Sequence, residues 1–174
     1  MNEMQEKLSL ADCREPMPYP EVDRVAADPE AARLLSLDYA SAKSEMSALT
    51  SYMYQHALLL ASFPEIADKL ECIAIVEMNH ARMLASAIVA LGGDPKYLAT
   101  EQNRTEFWCA DKVNCARYVK DILLDDIADE KAAVVQYNRH AAVIPIPKVQ
   151  SLLSRIAMDE ALHARLLGEL LMRI

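Results

Sequence analysis

Glycine is scarce in this chain, with three residues in 174. Turn-rich β-folds draw on glycine at bulges and positive-φ positions. The shortage, combined with 53% hydrophobic residues, therefore favours long helices. No CxxC pair occurs among Cys13, Cys72, Cys109 and Cys115, which excludes a rubredoxin or zinc-ribbon module by spacing. Basic residues are outnumbered, 18 Lys and Arg against 26 Asp and Glu, and the net charge of −8 excludes a nucleic-acid backbone as partner. An acidic surface instead concentrates cations. The first sixteen residues, MNEMQEKLSLADCREP, hold no apolar signal core, and no run of 18 apolar residues follows anywhere. These absences lead us to expect a soluble cytoplasmic protein without a membrane partner, its cysteines reduced rather than bridged.

What remains is enough chain for one domain with a substantial core. Residues 1–27 carry Pro16, Pro18 and Pro20 with little helical period and read as an extended arm, either a loosely held tail or a strap across a neighbouring subunit. A domain over 28–174 follows. Asp28-Pro29-Glu30 starts a helix, with Asp as N-cap and Pro at the first helical position, and nothing obvious breaks it before about Ser62. Phe63-Pro64 marks a tight reversal into a second helix, which Gly92-Gly93-Asp94-Pro95 ends near Leu91. A third helix is expected over roughly 112–143 and a fourth from Pro147 to the end. Between helices two and three lies a stretch near 94–111 without clear period, where Phe107 and Trp108 are expected to pin the chain to the helices. About 20 residues at roughly 3.3 Å each can cross the full length of a bundle. Two short hairpins joined by one long crossover make an all-α, ferritin-like four-helix bundle, with a plain up-down bundle as the other arrangement.

Charged residues interrupt the apolar stripes. The second helix runs Leu70, Ile73, Glu77, His80, Leu84, Ile88, and the fourth runs Leu152, Ile156, Glu160, His163, Leu167, Leu170. Positions i and i+3 share a helix face, so each carboxylate–imidazole pair can reach one ion. The first helix offers Glu45 followed seven residues later by Tyr52, and the third offers Glu130 followed seven later by Tyr137. The order Glu, Tyr, Glu-x-x-His therefore occurs twice, with 32 and 30 residues between the upstream Glu and the motif. A single ExxH means little, whereas two copies with matched upstream glutamates form a specific pattern. Buried carboxylates without compensation cost several kcal/mol each. Four Glu are balanced by two divalent ions, and neutral His suits iron or manganese, with zinc as a substitute. Glu45, Glu77, His80, Glu130, Glu160 and His163 are thus candidate ligands for two metal ions per chain.

Second-layer candidates are Asp159, within reach of His80, and Asp126, which either holds His163 or ligates directly. Tyr52 and Tyr137 are placed either to bond ligand carboxylates or to pack as ordinary core residues. His56 and His140, near helix ends, read as capping or surface groups.

The stretches SEMSALTSY, AIVEMNHARML and DEKAAVVQY…AMDEALHARLL resemble the ferritin-like di-metal carboxylate superfamily, and the short chain is most similar to rubrerythrin-type proteins without the rubredoxin domain. That resemblance implies a di-iron or di-manganese centre in a non-haem oxidoreductase, peroxidase- or catalase-like, acting on peroxide or dioxygen. A ferroxidase-like iron handler or a structural metal protein is the alternative. It further implies Glu45 and Glu130 as terminal ligands, Glu77 and Glu160 as bridges, and one His per ion. Ile127 and Ala133 flank Glu130 where rubrerythrins carry an extra carboxylate, leaving a six-ligand shell. A separate electron-donor protein and a homo-oligomer, with a dimer favoured, complete the expectation.

Overall fold

The computed structural model describes residues 10–101 and 104–174. Five helices account for most of them: α1 (Pro29–Ala40), α2 (Glu45–Leu59), α3 (Pro64–Ala90), α4 (Val119–Val143) and α5 (Pro147–Leu171). α2 with α3 and α4 with α5 form the two most extensive helix pairs, each an antiparallel hairpin with a short connection. A long crossover from α3 to α4 joins them, giving the expected ferritin-like bundle.

Local chemistry sets the helix ends. Asp28 Oδ1 accepts from the Glu30 and Ala31 amides at 3.1 and 2.9 Å, satisfying two otherwise orphaned donors. Pro64 and Pro147 open α3 and α5, where a missing N–H has no cost. After α3, Gly92 takes φ +83° and the Gly92 and Gly93 amides return to the Val89 and Ile88 carbonyls.

The first long helix is not continuous, contrary to expectation. Ser41 is extended, and the serine hydroxyls take over local backbone groups: Ser44 and Ser47 Oγ both donate to the Ser41 carbonyl, at 2.8 and 2.9 Å. Short hydroxyl side chains compete with the helical ladder in this way, and four small or polar residues in succession let them succeed. Glu45 consequently becomes the first residue of α2, where the helix dipole favours its negative charge. The third long helix also starts later than expected, at Val119. The crossover is correspondingly longer and carries an antiparallel hairpin of β1 (Leu98–Glu101) and β2 (Arg104–Phe107). Trp108 does pin it, donating from Nε1 to Ser47 Oγ at 3.0 Å, but Phe107 faces solvent.

The core lies in two apolar blocks. Leu35, Leu84, Ile88, Leu152 and Ile156 anchor one, while Leu70, Ile73, Ile122, Leu123 and Leu167 anchor the other. Each such side chain contributes about 1.5–3 kcal/mol of burial. Between the blocks sits a polar layer, because the Glu-x-x-His pairs fall midway along α3 and α5. By length and composition α3 suffices to cross a membrane (mean hydropathy 1.3 over 18 residues), yet it packs against α1, α2 and α5 and carries Glu77 and His80.

Of the arm expected over 1–27, residues 10–27 are described and residues 1–9 lie outside the described residues. Residues 10–27 lie on their own bundle, stapled by a disulfide between Cys13 and Cys72 with Cα atoms 6.2 Å apart. This corrects the expectation of reduced cysteines, since folding brings residues 59 positions apart within bridging distance. Closing a loop of that size stabilises the fold by about 4 kcal/mol. Cys109 and Cys115 are free and exposed.

Candidate metal centre

All six sequence-predicted ligand residues meet in the polar layer. Their ligand atoms form two overlapping sets, Glu45–Glu77–His80–Glu160 and Glu77–Glu130–Glu160–His163, each within 4.8 Å and wholly buried. Glu77 and Glu160 belong to both. Each helix of the bundle supplies its share: α2 gives Glu45, α3 gives Glu77 and His80, α4 gives Glu130, and α5 gives Glu160 and His163.

The histidines point Nδ1 inward. His80 Nδ1 lies 3.2 Å from Glu77 Oε2 and 3.2 Å from Glu160 Oε1, with Glu45 Oε2 at 3.5 Å. His163 Nδ1 lies 2.8 Å from Glu77 Oε1, 3.2 Å from Glu160 Oε2 and 3.6 Å from Glu130 Oε1. Both Nε2 atoms face outward to acceptors, an arrangement in which a cation can replace the proton on Nδ1. Asp159 Oδ2 takes His80 Nε2 at 3.0 Å, as its position suggested. His163 Nε2 instead donates to the Cys13 carbonyl at 2.8 Å.

The tyrosines are crossed. Tyr52 on α2 donates to Glu130 on α4, and Tyr137 on α4 donates to Glu45 on α2. Each reaches the other hairpin's glutamate, not the one on its own stripe. A residue two turns along a helix is too far to touch its own Glu, whereas the facing antiparallel helix brings it level.

Without a cation this layer is electrostatically strained. Desolvation, then repulsion from Glu77 and Glu160, holds Glu45 well above the usual carboxylate range, and the same causes hold Glu130 there. Burial also opposes ionisation of Glu77, but hydrogen bonds from Glu45 and His163 win and its pKa falls well below normal. Burial disfavours charge on both imidazoles, yet the surrounding carboxylates raise them well above the ordinary histidine value. Glu45 Oε2, Glu77 Oε1 and Glu160 Oε1 are buried and face the imidazole Nδ1 atoms, at 3.5, 2.8 and 3.2 Å. Carboxylate oxygens and imidazole nitrogens aimed together at one buried centre fit a pair of divalent cations.

Asp126 departs from both roles considered for it. It belongs to neither ligand set and does not hold His163; Gln55 Nε2 donates to its Oδ1 at 2.9 Å. Burial lifts its pKa to about 7. Asp126 lines a cleft of about 420 Å³ between α2 and α4 that reaches Glu45, Glu77, Glu130 and Glu160. Lys43 and Asp129 pair at its outer side, joining α4 to the turn before α2.

Several residues at the site escape sequence reasoning. Asp159 also accepts from the Glu15 amide (2.7 Å) and the Tyr19 hydroxyl (2.5 Å), and forms an ion pair with Arg155 Nη1 (2.8 Å). The Arg155 guanidinium stacks 4.3 Å above the Tyr19 ring. Arg155 left a trace, since it precedes Asp159 by one helical turn; Tyr19 and the Cys13 carbonyl left none, because an arm without period offers no register. His140 is no surface group either: its Nδ1 meets both oxygens of the buried Asp38, at 2.8 and 2.9 Å. His56 Nδ1 contacts the Ala67 carbonyl at 2.9 Å.

The chain is similar in structure to a manganese catalase from Anabaena, with 24% identity and TM-score 0.80 over 92% of this chain and 79% of that one. A bacterioferritin from Desulfovibrio desulfuricans, whose diiron site was captured in different catalytic states, shares 27% identity at TM-score 0.66, covering 83% of this chain and 80% of its own. A Rhodobacter capsulatus bacterioferritin with a metal-free dinuclear site aligns at 19% identity and TM-score 0.71, over 86% of this chain and 88% of that chain. No curated protein sequence matches significantly. Residues 37–171, which span every bundle helix and all six converging side chains, match the rubrerythrin profile. The chain belongs to the rubrerythrin family, among the ferritin-like di-metal carboxylate proteins.

Proposed function

We propose that Glu45, Glu77, His80, Glu130, Glu160 and His163 hold two redox-active ions, iron or manganese, and that the centre reacts with peroxide or dioxygen as a non-haem oxidoreductase. The observation that carries this reading is the sharing of Glu77 and Glu160 between two buried ligand sets. Shared carboxylates suit bridges, and Glu45 and Glu130 suit terminal ligands, one per ion. Four glutamates neutralise two divalent cations, which accounts for a buried acidic layer that is unfavourable when empty. When bound, the ions supply a two-electron redox couple and Lewis-acid sites that protein side chains lack.

The chain's own residues do the rest. The cleft between α2 and α4 admits a molecule of peroxide's size to the carboxylates. Tyr52 and Tyr137 orient Glu130 and Glu45 through their hydroxyls, keeping one oxygen of each turned inward. Asp159 and the Cys13 carbonyl hold the imidazoles against rotation. In this reading the bundle, 28–174, is the metal-holding unit, the described part of the arm, 10–27, is its strap, and the protein is a cytoplasmic homo-oligomer, a dimer.

Metal analysis after reconstitution with manganese(II) or iron(II) tests the assignment. Two ions per chain are expected, and Glu77→Ala or Glu160→Ala should empty both positions. Fewer than one ion per wild-type chain, or a full load in either variant, overturns it. The likeness to a bacterioferritin favours a second reading, iron oxidation and handling. Light scattering separates the two, since a shell of 12 or 24 subunits supports storage and a dimer supports the oxidoreductase.

A further inference from the structure

A two-electron redox pair sits one residue away from the centre. Cys13 and Cys72 are bridged and buried, and the Cys13 carbonyl accepts the 2.8 Å hydrogen bond from His163 Nε2. One residue therefore supplies both a redox sulfur and the outer partner of a candidate metal-binding imidazole. From Cys13 Sγ the path runs through Cβ, Cα and the carbonyl, across that hydrogen bond, and through the ring to Nδ1, which faces Glu77 and Glu160. Cys72 stands on α3 five residues before Glu77, so its sulfur is carried by the same rigid helix as two candidate ligands. The other two cysteines, Cys109 and Cys115, are free and exposed on the crossover.

We propose that Cys13 and Cys72 are the electron donor of this centre, making the protein a peroxidase that oxidises its own thiol pair and is recharged by an external dithiol. The inference rests on the peroxide-reactive reading above. In each cycle the O–O bond of hydrogen peroxide breaks and the Cys13–Cys72 S–S bond forms. The two thiols give up two electrons and two protons, which complete two molecules of water. An external dithiol then reduces the disulfide by exchange, becomes a disulfide itself, and returns two protons to the cysteines. The 3₁₀ turn that carries Cys13, Leu10–Cys13, exposes its other three residues, so lifting that short turn, with release of the His163 Nε2 hydrogen bond, opens the sulfurs to the dithiol. A disulfide that cycles in this way is compatible with a reducing compartment, where static bridges are rare.

The test uses full-length protein, reconstituted with manganese(II) or iron(II), reduced, freed of reductant and kept anaerobic. One equivalent of hydrogen peroxide is added, the reaction is quenched in acid, and remaining thiols are alkylated and counted by mass spectrometry. Expected is one Cys13–Cys72 disulfide per peroxide consumed, with Cys109 and Cys115 still alkylated, and at least a tenfold faster oxidation than in metal-free protein. With dithiothreitol as recharging dithiol, Cys72→Ser should lower dithiol-dependent peroxide consumption at least tenfold while metal load is unchanged. If the loaded protein consumes peroxide and the pair stays reduced, the inference is overturned and the oxidoreductase reading stands. Equal oxidation without metal also overturns it, as direct thiol chemistry. If the loaded protein consumes no peroxide, the oxidoreductase reading falls and the inference falls with it.

Discussion

Asp159→Ala should be among the most damaging single substitutions outside the ligand set, and the structure gives its size. Asp159 is fully buried, receives three donors (the Glu15 amide, Tyr19 hydroxyl and His80 Nε2) and pairs with the Arg155 guanidinium. Arg155 is itself 4% exposed, so removing the carboxylate leaves a buried guanidinium without its counter-charge. Breaking a buried pair from one side costs about 3–5 kcal/mol. The loss should appear in urea unfolding of metal-free protein, since it does not depend on the ions. His80 also loses the acceptor that orients its ring, and second-layer losses of this kind weaken metal binding about 10–100-fold. Chelator competition on the reconstituted protein reads that effect separately. The pH signature follows from the carboxylate's pKa. Burial works against its charge, but hydrogen bonds from His80, Tyr19, Glu15 and Arg155 hold it down at about 2. Its stabilisation is therefore complete above the ordinary value of 3.8 and fades as pH falls through about 2. The wild-type advantage over the alanine variant should shrink only in that acid window. A variant within 1 kcal/mol of wild type at neutral pH, with unchanged metal affinity, would refute the arm-to-histidine chain of contacts.

Three further outcomes are expected. Double-mutant cycles should couple Tyr137→Phe with Glu45→Gln by about 0.5–3 kcal/mol and leave Tyr137→Phe with Glu130→Gln additive, in stability or in chelator competition; the reverse pattern would contradict the crossed tyrosines. Gly93→Ala places a Cβ 2.8 Å from Ile88 Cγ2 and 2.9 Å from Ala32 Cβ, so it should destabilise by about 1–3 kcal/mol, visible as a lower urea midpoint. Asp126→Asn should stabilise metal-free protein: a carboxyl raised from 3.8 to about 7 makes folding less favourable as pH climbs between those values. The gain should be absent near pH 3, grow to about pH 7 and then level off, and a gain independent of pH would show that Asp126 titrates normally.

The sequence by itself determined the helical class, the two hairpins and the six converging side chains. Each of these depends on short-range regularity. Glu-x-x-His pairs on apolar stripes can be read by counting 3.6 residues per turn, and two copies of the pattern reinforce each other. Asp159 beside His80 was legible for the same reason, because α3 and α5 carry matching registers. Only the tertiary structure decided what depends on contacts between distant segments. The break at Ser41–Ser44 arises from hydroxyls competing for particular carbonyls, a contest that composition does not settle. The crossing of Tyr52 and Tyr137 depends on the level at which α2 and α4 face each other. Asp126 turns to Gln55, which no helical spacing announces, since the two lie 71 residues apart. Above all, the arm has no period of its own, so its return over α5 to meet His163 with a backbone carbonyl and Asp159 with a tyrosine could be seen only once the chain was folded. Every residue has a carbonyl, and only packing decides which one a buried histidine finds.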